Sequence, residues 1–116
     1  MVDERLHGVI RDYLARTHAP QEAVQTFAFV HDLAAWDFAR AAAEADPLIE
    51  RAARGEDWMP PATLLDGAFA ARYLTGDMAG ARRVLQQLGP RIRDEGERTV
   101  MRLMAADLGA SPASPR

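Results

Sequence analysis

The sequence predicts an all-α domain of five or six antiparallel helices, and three observations carry that expectation. Apolar residues recur at three- and four-residue spacing along nearly the whole chain. No window alternates apolar and polar residues over six positions with the β-branched enrichment a strand needs. Helix-breaking pairs punctuate the pattern, at Ala19-Pro20, Pro60-Pro61, Gly76-Asp77 and Gly89-Pro90. Residues 1–108 read as a single helical domain, and 109–116, "GASPASPR", as a disordered C-terminal tail.

Each element has its own signals. Asp3 suits the cap of a first helix with the stripe Leu6, Val9, Ile10, Tyr13, Leu14, ended by "THAP". Pro20 opens a second helix, striped by Ala23, Val24, Phe27, Val30 and Ala34. Phe29, Leu33 and Trp36 make a second row on another face, so this helix is either sandwiched or feeds an interface. A break is expected near His31–Asp32–Leu33, with Asp32 capping a third helix through Ala35, Phe38, Ala39 and Ala42. Pro47 disfavours helix at Asp46, and "PLIERAARG" adds two more turns before Gly55. "GEDWMPP" is a linker, and Pro61 starts a fourth helix through Leu64, Leu65, Ala68, Phe69 and Tyr73 to Thr75. Gly76 closes that helix and Asp77 caps a fifth, with Ala81, Val84, Leu85 and Leu88 inward. Ile92, Val100, Leu103, Met104 and Leu108 mark a sixth, with an interruption at Gly96.

Two antiparallel helices joined by a tight turn approach closely only where side chains are small. Residues 61–89 meet that condition with Ala68, Ala71 and Ala81 beside the Gly76–Asp77 turn, anchored by Leu85 and Leu88. This stretch resembles a tetratricopeptide-repeat hairpin. An upstream echo, Ala35, Ala39, Ala42 and Pro47, places the two hairpins 46 residues apart, from Ala35 to Ala81, where that family repeats at about 34. The resemblance implies stacked helical hairpins and a protein-binding scaffold; a plain helical bundle is the alternative architecture for the same helices. Its carboxylate-clamping members use Lys and Asn as well as Arg, and this chain has neither, so that specialised activity is not implied.

Composition excludes several chemistries. The 116 residues contain no Lys, Cys or Asn, and serine stands only at Ser111 and Ser114. A Walker-type phosphate loop, a Schiff base, a thiol nucleophile and a thiolate zinc site all lack their residue. Abundant Ala and an all-Arg basic set are also the mark of GC-rich, bacterial-like coding. The net charge is −3. Residues 1–57 hold 6 Arg against 11 Asp and Glu, a charge of −5, while residues 58–116 hold 8 Arg against 6, a charge of +2. Neither half is a nucleic-acid footprint. No apolar run spans a bilayer, and the acidic "MVDERLHGV" is unlike a signal peptide, so a cytoplasmic protein is expected.

Few residues remain as candidates. His31–Asp32 invites a metal reading, a small metal-dependent hydrolase, but such sites need further His and Asp ligands. Only His7 and His18 remain, and His31 also suits a helix C-terminus. Asp3 and His7, four apart, fit a surface pair as well as a metal pair. Arg72 and Arg83, with the basic run through Arg102, suit an acidic peptide, although Asp94, Glu95 and Glu97 interleave as on a solvated face. Phe29, Leu33, Trp36 and Trp58 form either an exposed contact patch or a second core layer.

The function expected is a protein-interaction module, an adaptor or scaffold without cofactor. It would bind a peptide or a like subunit in a groove between hairpins, with Phe29, Leu33, Trp36 and Trp58 as anchors and Arg72 or Arg83 orienting an acidic partner. A homodimer is one way to cover such a patch. Two alternatives stand beside it: the hydrolase centred on His31 and Asp32, and a helical sensor of a small apolar ligand lined by Met and Phe.

Overall fold

The computed structural model describes residues 4–18 and 20–110. Among them are six α-helices and no strand: α1 (Glu4–Arg16), α2 (Gln21–Ala34), α3 (Phe38–Ala53), α4 (Pro61–Leu74), α5 (Met78–Leu88) and α6 (Glu95–Ala110). A 3-10 turn, Gly89–Arg91, joins the last two. The expected Asp3 cap and tail residues 111–116 lie outside the described residues, and α6 carries helix to Ala110, two residues past the expected domain end. Among the described residues no helix is long and apolar enough to cross a membrane.

The expected hairpin is present, with α4 and α5 folding back on each other at Gly76–Asp77. Gly76 has φ +83°, its N–H donates to the Tyr73 carbonyl at 3.0 Å, and the Asp77 N–H donates to the Arg72 carbonyl at 2.8 Å. These two bonds satisfy the last carbonyls of α4. The Asp77 carboxylate then accepts from the Gly80 N–H at 2.8 Å and caps α5.

The same device closes α2 onto α3, exactly one unit earlier in the stack. The Trp36 N–H donates to Leu33 at 3.1 Å, the Asp37 N–H to Asp32 at 2.8 Å, and Asp37 accepts from the Arg40 N–H at 3.3 Å. Helices α2 and α4 begin 40 residues apart, at Gln21 and Pro61, and α3 and α5 likewise, at Phe38 and Met78. At that offset Pro20 pairs with Pro60, Phe29 with Phe69, Asp37 with Asp77, Ala41 with Ala81 and Leu48 with Leu88. The last two pairs and both phenylalanines are buried. One core is thus built twice from the same positions. The repeat is 40 residues, and the partner of Ala81 is Ala41, not Ala35.

Two breaks expected in the first hairpin do not occur. Helix α2 runs unbroken through His31 and Asp32 to Ala34, and the cap of α3 is Asp37. Asp32 is buried, with its side chain engaged by His31 and by Glu44 of α3. Pro47 sits inside α3. Its missing N–H leaves the Ala43 carbonyl without a helical partner, and Ala43 lies on the exposed side, where that loss is cheapest.

The core joins the hairpins. Phe29 and Leu33 of α2 meet α4 at Gly67, where an added Cβ would lie 2.7 Å from the Leu33 Cδ1 and 3.0 Å from the Phe29 Cζ. Ala68, Ala71 and Ala81 are buried at the close crossing, as their size suggested. Arg91 locks the far end through a bidentate pair with Asp57, at 3.1 and 2.6 Å, and a hydrogen bond to the Ala52 carbonyl.

The outermost helices are less covered. Val9 and Tyr13 of the α1 stripe are exposed, Ile10 and Leu14 are half-buried, and the Leu6 and His7 side chains are outside the described residues. α6 starts after Asp94, which accepts from the Glu97 N–H at 3.1 Å, and Gly96 does not interrupt it. Its Leu108 is buried, Met101 and Met104 pack against the core, and Val100 and Leu103 face outward.

Candidate functional site

The aromatic row divides into core and surface. Phe29 is fully buried at 0% exposure, so it is a core residue and not a contact anchor. Leu33 is half-buried and packs against that core. Trp36 is 75% exposed and Trp58 45%. They do not form one patch, because they flank opposite ends of the 16-residue α3, a helix roughly 24 Å long. The sequence could not separate these cases, since a helix apolar on two faces does not say which face its neighbours cover.

Trp36 is one of two non-glycine residues at positive φ among the described residues, the other being His18, at φ +55° after α1. Trp36 adopts φ +63°, in the left-handed region that Gly76 occupies in the sister turn. For a side chain with a Cβ this conformation costs about 1–2 kcal/mol. Its indole makes an edge-on contact with Phe38, with ring centroids 5.6 Å apart at 71°. That contact leaves most of the indole in solvent.

The expected groove between hairpins exists and is polar. It is an open depression of about 290 Å³ between α3 and α5, lined by Asp46 and Glu50 on one side and by Arg83 and Gln87 on the other, with Arg72 at one end. Arg72 is not free to orient a partner. Its guanidinium donates to both Asp46 oxygens at 2.9 and 3.0 Å, to Asp77 at 3.1 Å and to the Ala42 carbonyl at 3.4 Å. Burial alone would lower its pKa, but Asp46 and then Asp77 raise it above the ordinary arginine value. Arg72 therefore ties α4 to α3 and to its own turn. Arg83 is exposed in the same groove.

His31 and Asp32 lie side by side, Nδ1 to Oδ1 at 3.4 Å, both buried in the α2–α3 interface. Glu44 reaches them from α3. Burial, then hydrogen bonding to Asp32, pushes the Glu44 carboxyl up to about 7. Burial also pushes Asp32 up, but hydrogen bonds with Glu44 and His31 and the charge of Arg40 outweigh it and hold Asp32 below its ordinary value. Glu44 thus keeps its proton well above the ordinary carboxylate range, while Asp32 beside it is held ionised. Among the described residues no group of three or more His, Asp or Glu side chains is arranged to hold a metal ion. Neither depression described in this section is lined by these three residues. The arrangement is a contact of imidazole, carboxylate and raised-pKa carboxyl between α2 and α3. Glu44 was invisible in the sequence because its partner is 12 residues away on another helix.

A second depression, of about 380 Å³, runs between α5 and α6. Its floor is apolar, made by Leu85, Met101, Ala105 and Leu108, with Arg82 and Arg102 beside it. The sequence assigned Leu85 and Leu108 to the interior and had no signal for how little of α5 a single helix covers.

No family model, curated protein or solved structure significantly matches the chain.

Proposed function

We propose that this chain is a protein-interaction module, a stack of helical hairpins that docks a protein or peptide partner at the turn edge carrying Trp36. One observation carries the reading: a large, three-quarters exposed indole occupies a left-handed position that its sister turn fills with Gly76. Backbone closure there needs no side chain, and glycine would meet it at lower cost. A tryptophan retained against that preference is better explained by contact, where indoles contribute disproportionately. The likeness of α4–α5 to tetratricopeptide hairpins supports the same class of function. Arg83, exposed in the groove between hairpins, is the guanidinium available to an acidic segment, a role that Arg72 is too committed to fill.

The test is association of wild type and Trp36→Gly, by sedimentation over a concentration range for self-association and by quantitative co-purification for a foreign partner. Trp36→Gly is expected to weaken association by about tenfold or more while leaving the helical circular dichroism intact. Undiminished association in this variant would overturn the reading.

A further inference from the structure

We infer that the groove between α5 and α6 seats an amphipathic, acid-flanked helix of a partner protein, in the place where a further hairpin would put its second helix. The 40-residue repeat supplies the reason. On α3, Ala42, Ala45 and Ile49 are buried beneath the following hairpin, α4 and α5. Their counterparts are Arg82 and Leu85 on α5 and Gly89 just beyond it. Among the described residues that face receives α6 alone, and Leu85 remains only partly buried. The uncovered remainder is the depression of about 380 Å³.

Its shape and chemistry fit a helix. Met101, Ala105 and Leu108 follow one another at steps of four and three along α6, a strip roughly 10 Å long. A strip of that length accepts the apolar residues of a facing helix at i, i+3 or i+4, and i+7. Ala105 is small and exposed midway along it, so a facing side chain has room to enter. Arg82 and Arg102 flank the strip; Arg102 holds an exposed pair with Glu95 at 3.8 Å and donates to Thr99 at 3.2 Å, and a solvent-exposed pair of this kind exchanges readily for carboxylates beside the incoming stripe. The inference rests on the reading of the chain as an interaction module, but not on Trp36, which belongs to the other hairpin.

The experiment uses the full chain and two fluorescein-labelled synthetic peptides of about 16 residues. Both carry Leu at i, i+3, i+4 and i+7 on an Ala background, one with Glu and the other with Lys at the flanking positions. Fluorescence anisotropy is expected to show saturable binding of the Glu peptide and at least about tenfold weaker binding of the Lys peptide. Ala105→Arg, which fills the groove at an exposed position, should weaken the Glu peptide at least about tenfold with helicity unchanged. Arg102→Glu should shift preference toward the Lys peptide, and Trp36→Gly should leave binding of both unchanged. Absence of saturable binding, equal binding of the two peptides, or indifference to Ala105→Arg would overturn the inference. So would displacement of the peptide by octanoate at micromolar concentration, which would mark a small-ligand site, or a dimer dissolved by Ala105→Arg, which would mark a second copy as the occupant. Loss of association in Trp36→Gly alone tests the turn edge, so the two proposals fail separately.

Discussion

Where the first hairpin holds His31, Asp32, Trp36 and Glu44, the second holds Ala71, Arg72, Gly76 and Val84. The two have the same turn, the same cap and the same buried Phe, Ala and Leu positions. The difference teaches what the fold does and does not require. Ala71 and Val84 fill the places of His31 and Glu44 with apolar side chains, so a buried imidazole and a raised carboxyl are not conditions of this architecture. Gly76 closes the second turn with its own φ, so Trp36 is not one either. Polar burial also has a visible cost in the first hairpin: Gln25 Oε1 and Glu44 Oε1 are buried without hydrogen-bond partners.

Shared architecture makes the largest prediction. Phe29→Ala and Phe69→Ala, at one position of the repeat, should each lower stability by about 3–5 kcal/mol in urea denaturation. A loss below about 1 kcal/mol for Phe29→Ala would break the equivalence of the two cores.

The divergent pair comes next. Glu44 binds its proton up to about 7 in the fold, against an ordinary value of 4.5. Between those values the folded chain holds a proton that the unfolded chain has released, so stability falls as pH rises through that window. Asp32 acts oppositely: its lowered pKa adds stability that is lost only as pH falls below the ordinary carboxylate range. The chain should lose on the order of 2 kcal/mol between pH 5 and pH 8. Glu44→Gln should flatten this slope, and thermal melts across that range check it. An unchanged slope would show that Glu44 is not held protonated beside Asp32.

Arg72 is a smaller case. Its Asp46 partner is well exposed, so solvent screens the pair, and Arg72→Met should cost only about 1 kcal/mol, less in high salt. A cost several times larger would show that the clamp holds the hairpins together more strongly than core packing does.

The second hairpin was almost fully legible in the sequence, because Pro60–Pro61, Gly76–Asp77 and Gly89–Pro90 mark its boundaries with residues of unambiguous backbone preference. The first was not, and the reasons are physical. Asp32 is a residue type favoured at caps, yet here it is a buried side-chain partner within a continuous helix. Trp36 occupies a turn position at which glycine is the readable signal, and this substitution hid the true repeat, so that the spacing read as 46 residues and not 40. Pro47 suggested a break that solvent access beside Ala43 makes unnecessary. Of the candidate contact residues, Trp36, Trp58 and Arg83 lie on the surface, while Phe29 and Arg72 are engaged inside. Amphipathic spacing marks which residues are apolar, whereas exposure depends on how many helices pack around them. The α5–α6 groove was unreadable for that same reason.

The smallest effect is also the most direct test. Thermal denaturation of Trp36→Gly measures whether the indole serves the fold or is held against it. Relief of the left-handed strain, less the lost edge contact with Phe38, should raise the Tm by about 2–5 °C while association falls. A Tm lowered by the same amount would show that Trp36 is retained for stability, and the assignment of the turn edge to partner binding would be contradicted.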